Sequence, residues 1–343
     1  MSLEPTREST LHRESKATLS PTFEVLLERA AAALKSASTI ALATHLYPDA
    51  DAYGSMCGLG LALREMGKQV SMSNGTLDRE KFLWIPGVSE VKGNLPLDAE
   101  LAVIVDTAHP NGLGPRLAAE LLHYDRTLVI DHHRHKWDFG HTRLIVPERG
   151  SASELVTDLL VHMGHPISPA VANALYAGIS GDSGSFRHAS TTAETFATAA
   201  TLVRAGADPV AAAIALHGSV SKEGMALRAK AIQALQYSMN GRLAEAVLRR
   251  QDFEGSSPAN TTGIVDMLRD IKGVEVAVLI SEVENGWRVN IRAKHPLTDL
   301  LPIAARFRCS AHPMAVGFVY DGDLSVLETT LHTMLSDAID PRK

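Results

Sequence analysis

The chain reads as an α/β protein of 343 residues, with a parallel-sheet domain, a helical connector and a smaller α/β domain, and an active site expected in the cleft between the two domains. Three observations predict that class. The runs Leu101-Ala102-Val103-Ile104-Val105 and Thr127-Leu128-Val129-Ile130 are continuously apolar, the pattern of strands buried on both faces of a parallel sheet. Helix-period segments alternate with such runs through the first half, as in a doubly wound sheet. The C-terminal part carries its own hairpin signal at Asn285-Gly286, which predicts a second sheet.

The elements follow in order. Residues 1–20 are rich in Ser, Thr, Glu and Arg and lack an apolar segment, so a disordered tail is expected and not a secretory leader. A helix is predicted over Pro21–Lys35, a strand over Thr39–Thr44, a polar turn over 45–54 and a helix over 55–66. Gln69–Ser73 reads as a short strand, and the two apolar runs end at Asp106 and Asp131. Helical periodicity over 152–163 and 169–179 completes a domain spanning 21–190. Residues 191–240 (AETFATAATLVRAG, DPVAAAIALHG, KEGMALRAKAIQALQ) are Ala-rich and helical, which suits a connector. The second domain, 241–343, is expected to hold a type I′ hairpin between 274–281 and 287–292, with helices near 261–271, 297–307 and 323–337. No internal repeat is present.

Composition narrows the function. Hydrophobic residues at 45% and charged residues at 21% are ordinary for a globular chain. No apolar run is long enough to span a bilayer, so the expectation is a cytosolic protein without membrane contact. Two cysteines, Cys57 and Cys309, exclude a disulfide scaffold and thiolate zinc modules. A net charge of −6 disfavours coating of long nucleic acid and leaves short anionic ligands open, because a local pocket can be basic on an acidic protein.

Ligands of open parallel sheets bind past the carboxyl ends of the strands, and these positions are rich in donors. The first carries His45-Leu46-Tyr47-Pro48-Asp49-Ala50-Asp51-Ala52-Tyr53-Gly54-Ser55. In an extended loop Asp49 and Asp51 would face the same side, and two carboxylates side by side can hold adjacent cations. An EF-hand would need a ligand at Tyr53 and Glu at Gly60, so that reading fails. The bland alternative is a turn with an Asp cap on the next helix. The second strand end supplies Asp106, the third Asp131-His132-His133, and the end of an apolar helix supplies Gly181-Asp182-Ser183-Gly184-Ser185-Phe186-Arg187. Adjacent histidines at a strand end suit divalent metals, for which neutral imidazole is a common ligand. His109, His135, His141 and His188 read as solvated or core-satisfied side chains.

On these residues the chain resembles the DHH phosphoesterase superfamily, in its branch of nanoRNases and 3′-phosphoadenosine-5′-phosphate (pAp) phosphatases, over about residues 24–335. The motifs are His45-x3-Asp49-x-Asp51-x2-Gly54-Ser55, Asp106, Asp131-His132-His133 and Asp182-Ser183-Gly184-x-Phe186-Arg187. The resemblance implies two Mn²⁺ ions, with Mg²⁺ or Co²⁺ as substitutes. One would be held by His45, Asp49 and Asp106, the other by Asp51, Asp106, His132 and Asp182. His133 would face the substrate phosphate, Asp131 would orient the neighbouring imidazole, and Arg187 would stabilise developing charge. Ser55, Arg292 and His312 are the expected substrate-binding residues, the last two in a DHH-associated domain spanning 241–343. There the family's glycine loop reads Cys309-Ser310-Ala311-His312.

The implied function is a Mn²⁺-dependent phosphodiesterase or exonuclease that cuts very short oligonucleotides, pGpG-type dinucleotides and short single-stranded DNA among them, to mononucleotides. pAp phosphatase activity is implied alongside, and a homodimer is compatible with the pattern. A cyclic-dinucleotide phosphodiesterase and a RecJ-like exonuclease share the motifs. A pyrophosphatase would carry a different second domain, and intact ligands argue against a non-catalytic nucleotide sensor. Dinucleotide-binding and P-loop readings fail, because Leu63 and Ala62 stand where glycines are required.

Overall fold

The computed structural model describes residues 21–340 apart from 77–78, 134–138, 219, 257, 262, 296–297, 308, 310 and 313. The expected N-terminal tail and His135 lie outside the described residues. The chain forms two compact units that meet between Ala213 and Ile214.

The first unit contains α1 (Pro21–Lys35), β1 (Thr39–Thr44), α2 (Ala50–Glu65), β2 (Gln69–Ser73), β3 (Leu101–Val105), α3 (Gly114–Leu121), β4 (Thr127–Asp131), β5 (Thr142–Ile145), α4 (Ala152–His162), α5 (Pro169–Asp182) and α6 (Ala193–Arg204), with α7 (Pro209–His217) crossing the boundary. Its sheet runs β2-β1-β3-β4-β5, and every neighbouring pair is parallel. The apolar runs occupy β3 and β4, whose residues are all buried. α3 covers the face built from Ala41, Ala43, Ala102, Ile104 and Val129. α2 packs on the other face, where Gly60 lies against Leu42 and Met72. Strand order reverses at β1, so the crevice between the carboxyl ends of β1 and β3 is the topological switch point.

One expectation here is corrected. The second helix starts at Ala50, not at residue 55. The Asp49–Asp51 stretch is therefore the helix entrance and not an extended loop. Asp49 is the N-cap, and its side chain accepts from the first-turn amides, which draws the helix back over residues that otherwise look like a turn.

The second unit contains α8 (Lys222–Gln233), β6 (Gln236–Ser238), β7 (Leu243–Leu248), α9 (Ile264–Arg269), β8 (Val276–Val283), β9 (Gly286–Ala293), α10 (Leu301–Phe307), β10 (Ala311–His312), β11 (Ala315–Tyr320) and α11 (Leu324–Ile339). Its sheet is ordered β10-β11-β9-β8-β7-β6, antiparallel except for the β7–β8 pair. Leu327, Leu331 and Leu335 of α11 recur every four residues and pack with Val278, Ile280, Val289 and Ile291 on one face. Leu227 of α8 and Ile264 and Leu268 of α9 pack with Ala246, Ala277 and Leu279 on the other. The β8–β9 hairpin forms where the sequence places it, but the turn is not type I′. Val283 pairs with Gly286, so the two loop residues are Glu284 and Asn285, and neither is left-handed as a type I′ turn requires; that conformation falls on Gly286, φ 118°. No single helix among the described residues is long and apolar enough to cross a membrane.

Candidate metal centre

Each strand end delivers its polar residue to one place. His45 follows β1, and its Nε2 lies 3.4 Å from Asp106 Oδ2. Asp49 caps α2 with Oδ1, which accepts from the amides of Asp51 at 2.9 Å and Ala52 at 3.0 Å. Capping and ligation do not compete, because the cap uses one carboxylate oxygen and leaves the other. His45, Asp49 and Asp106 form a group whose ligand atoms all lie within 4.8 Å of one another.

Asp51 is 1% exposed and turns toward the start of α4. Its Oδ2 accepts from Ala152 N–H at 2.7 Å and its Oδ1 from Ser153 N–H at 3.0 Å. A helix N-terminus offers free amides and a partial positive charge, the setting in which a buried carboxylate is held without a paired cation. Gly178 of α5 leaves the room this needs. A Cβ there would strike Ser153 Oγ and come within 2.7 Å of Asp51 Oδ1.

Asp106 sits at the centre. It has left-handed backbone, φ 61°, a conformation that Asp tolerates better than most residues. Its N–H still bonds Ile130 C=O at 2.9 Å, so the turn comes directly off the β3–β4 ladder. Besides His45, its carboxylate faces His132, with Oδ1 to Nε2 at 3.5 Å. His132 Nε2 is also 3.9 Å from Asp51 Oδ2 and 3.8 Å from Asp182 Oδ2. Asp182 is the last residue of α5. The structure thus gathers His45, Asp49, Asp51, Asp106, His132 and Asp182 around one carboxylate.

Asp131 is fully buried and serves the two histidines that follow it. Its Oδ1 accepts from the amides of His132 at 2.9 Å and His133 at 3.3 Å, and it pairs with His133 Nδ1 at 2.8 Å. That contact fixes the His133 ring and leaves Nε2 on a side chain that is 43% exposed.

The remaining candidates are placed differently. Ser55 is fully buried, and its hydroxyl donates to Asp51 C=O at 2.7 Å. It is therefore not available to a substrate, and its motif position reflects helix packing. Arg187 is exposed and directs Nε to Gly184 C=O at 2.8 Å, beyond a left-handed run at Gly184, Ser185 and Phe186. In the second unit Arg292 lies on β9 with Nε 3.8 Å from Asp266 Oδ1. His312 is in β10, paired in register with Ala315; its side chain lies outside what the structure describes.

The electrostatics follow from crowding acids in a buried place. Burial pushes the Asp51 carboxyl well above its usual range, and Asp106 and Asp182 add to this. Asp182 is raised to about 7, by burial first and then by Asp49 and Asp106 against His132. Burial would lower His45 and His132, yet the Asp106 carboxylate outweighs it and both are raised. His133 rises to about 9 against burial, through Asp131 and Asp106. Burial would raise Asp106 too, but His132 and His45 hold it below the ordinary range. Every shift places a proton or a positive charge between carboxylates, which is the demand a divalent cation meets.

The donor set fits such ions. Two donors each about 2.1–2.2 Å from an ion lie roughly 3.0–3.6 Å apart at right to tetrahedral angles. The Asp106 distances of 3.4 and 3.5 Å to His45 and His132 match that spacing. Among the described residues, buried Asp106 Oδ1 accepts no hydrogen bond, as expected of an oxygen reserved for a cation. Oxygen and imidazole donors without thiolate suit Mn²⁺ or Mg²⁺.

The supports of this centre were not read from the sequence. His132 Nδ1 contacts Arg149 C=O at 3.3 Å, which turns Nε2 toward the carboxylates, the usual second partner of a ligand histidine. The Arg149 guanidinium in turn pairs with Asp158 at 3.0 Å and lies over the Phe23 ring. A backbone carbonyl has no side-chain signature, so the first contact is invisible in sequence. The α4 entrance was readable: Ser151-Ala152-Ser153-Glu154 has capping-box spacing, and Ser151 caps the helix through Glu154 N–H at 3.1 Å.

Comparison with known proteins finds the same fold. Residues 39–179 match the DHH family, N-terminal domain. The chain is 28% identical over 292 residues to the probable bifunctional oligoribonuclease and PAP phosphatase NrnA of Streptococcus mutans, covering 83% of this chain and 91% of that one. An exopolyphosphatase-related protein from Bacteroides fragilis shares the fold at a TM-score of 0.85 and 21% identity, over 92% of this chain and 96% of that chain. RecJ from Thermus thermophilus, solved in complex with Mn²⁺, superposes at a TM-score of 0.52 and 14% identity, over 93% of this chain and 55% of that one.

Proposed function

We propose that the chain, whose residues 39–179 match the DHH family, N-terminal domain, is a Mn²⁺-dependent phosphoesterase of that family. Its substrates are very short oligonucleotides, cut to mononucleotides, and pAp, from which it removes a phosphate. The observation that carries this reading is the position of Asp106, with His45 on one carboxylate oxygen and His132 on the other. A single carboxylate facing two donor groups suits a two-ion phosphoester centre. The Streptococcus mutans relative named for both activities, aligned over 83% of the chain, supports the choice of substrates.

His45, Asp49 and Asp106 would hold one Mn²⁺; Asp51, Asp106, His132 and Asp182 would hold the other. His133 also lies within reach of Asp106, but Asp131 occupies its Nδ1, so His133 is assigned to the substrate. Bound divalent cations neutralise phosphate charge and lower the pKa of water. The protein residues do the rest. Asp131 keeps the proton on His133 Nδ1, and Nε2, when protonated, would face a non-bridging or leaving oxygen. The amides of Ala152 and Ser153 hold Asp51 in place. In the second unit, Arg292 and His312 would take the terminal phosphate or base and so measure ligand length.

The test is product chromatography with Mn²⁺ and chelator controls on pGpG, a tetranucleotide, a long oligomer, a cyclic dinucleotide, pAp and pyrophosphate. The shortest linear oligomers and pAp should be turned over fastest. A preference for the cyclic ligand or the long strand would overturn the substrate assignment. Asp106→Asn should reduce kcat by roughly a thousandfold or more and weaken Mn²⁺ binding measured by electron paramagnetic resonance. Retained Mn²⁺-dependent turnover would overturn the centre itself. Arg292→Gln should raise KM for pGpG by roughly tenfold with little change in kcat, since it removes a charge-assisted contact made in ground and transition state alike.

A further inference from the structure

A second, separate site lies at the other end of the first sheet. Between α1 and the starts of β4 and β5 there is a surface concavity of about 590 Å³ lined by Leu26, Arg29, Ser36, Arg126, His141 and Arg143, with Ala32, Ala33 and Thr142 completing it. The size falls within the range of small-molecule sites. Leu26, Arg29, Ala33 and Ser36 recur at three- and four-residue spacing, so they share one face of α1. Arg126 precedes β4, whereas the metal ligands follow its far end. Four residue steps at about 3.3 Å each separate the two ends of β4 by roughly 13 Å.

The lining is cationic on a protein whose net charge is −6. Among the described residues it holds three arginines and a histidine and no carboxylate, and one of the arginines, Arg143, already has a partner. Glu28, the acidic neighbour of Arg29 in sequence, is engaged elsewhere by His162 at 3.0 Å, and Asp125 does not line the concavity. Among the described residues Arg29 makes no hydrogen bond or ion pair. Arg126 spends one N–H on Ser36 Oγ at 2.6 Å and keeps the others. The tautomer of His141 is set by its partner. Its Nδ1 receives the backbone N–H of Thr127 at 3.2 Å, and a backbone amide can only donate, so the ring proton is on Nε2. Thr127 Oγ1 accepts from His141 N–H at 3.0 Å in return. Neutral His141 therefore presents a fixed N–H donor. The C-terminus of α1 opposes an anion with about half a charge, which the guanidiniums of Arg29 and Arg126 outweigh.

We propose that this concavity binds a nucleoside phosphate, its phosphate on the arginine forks and its apolar part against Leu26, Ala32 and Ala33. Guanidinium groups recognise phosphate oxygens bidentately, and the mixed apolar and cationic lining matches a ligand with both parts. The site is independent of the proposed reaction, since none of its residues takes part there.

Calorimetric titration of the full chain with adenosine 5′-monophosphate, with divalent ions chelated, tests the assignment. Saturable binding is expected, weakened roughly tenfold or more in Arg29→Gln/Arg126→Gln, because each arginine contributes a charge-assisted contact. The affinity should change less than twofold in Arg292→Gln, and both variants should retain the wild-type melting temperature within about 2 °C, as surface substitutions do. Pyrophosphate, which lacks the apolar part, should bind several-fold more weakly. No saturable binding, or binding lost in Arg292→Gln and kept in Arg29→Gln/Arg126→Gln, would overturn the site. Equal binding of pyrophosphate would overturn the nucleoside assignment.

Discussion

In the proposed reaction Asp131 acts without touching the reacting atoms, through the histidine it holds. Its carboxylate holds the His133 ring at 2.8 Å and contributes to a pKa raised to about 9 against the opposing effect of burial. Asp131→Asn removes the charge and keeps the shape. It is expected to lower kcat by roughly 10- to 100-fold, the usual range for orienting partners. The alkaline limb of the pH–rate profile should also move to lower pH, because a less basic imidazole loses its donating proton earlier. An unshifted limb would assign that limb to another group. At this scale most of the centre was legible, since His45, Asp49, Asp51, Asp106, His132 and Asp182 carry donor chemistry in their side chains. Ser55 misleads because its hydroxyl serves the helix. The Arg149 carbonyl behind His132 could not be read, since every residue has one.

Elements were legible where periodicity is strong and less so where caps and turns decide. β3 and β4 follow from uninterrupted apolar runs, and α11 from leucines at four-residue spacing. The start of α2 was missed because Tyr53-Gly54 suggests a loop, while the Asp49 cap reaches back and orders that stretch. Glycine has a different purpose there. A Cβ on Gly54 would lie 2.6 Å from Ala174 C=O and 2.8 Å from Gly178 N, so α2 and α5 meet backbone to backbone. That close crossing brings Asp51 at the head of α2 near Asp182 at the tail of α5. Gly54→Ala must therefore push the two helices apart and should cost about 2–3 kcal/mol of stability, with weakened Mn²⁺ binding. Gly60→Ala meets the Sδ of Met72 at 2.7 Å, a flexible side chain, and should cost under about 1.5 kcal/mol. Urea unfolding of the two variants compares them, and equal losses would mean that the crossing can relax.

At the scale of the whole molecule, buried charge sets how stability responds to acid. Asp158 is pushed from 3.8 to about 6, by burial first, against Arg149 and with Glu154 and Glu194 adding to the rise. The folded chain thus keeps this proton to higher pH than the unfolded chain. Its contribution is fully present below about pH 4 and is lost as pH rises through 6, by up to about 3 kcal/mol. Asp158→Asn cannot ionise, so the stability of wild type relative to this variant should fall between pH 4 and 7 when measured by urea unfolding. A constant difference would show that Asp158 ionises in the folded chain as it does in the unfolded one. The two sheets were foreseeable from strand patterns on either side of an Ala-rich stretch. The division between Ala213 and Ile214 inside α7 was not, because a helix that continues across a boundary leaves no break in the sequence. The parallel order of the first sheet has a further consequence, for the moment at which the protein becomes competent during its synthesis. β1 pairs with β3, about sixty residues further along, and the last proposed donor, Asp182, ends α5 after all five strands of that sheet. A nascent chain holding only His45, Asp49 and Asp51 has no bridging carboxylate, and one ending before Asp182 lacks a wall of the centre. The complete proposed centre therefore forms only late in synthesis, after contacts of long sequence separation have closed.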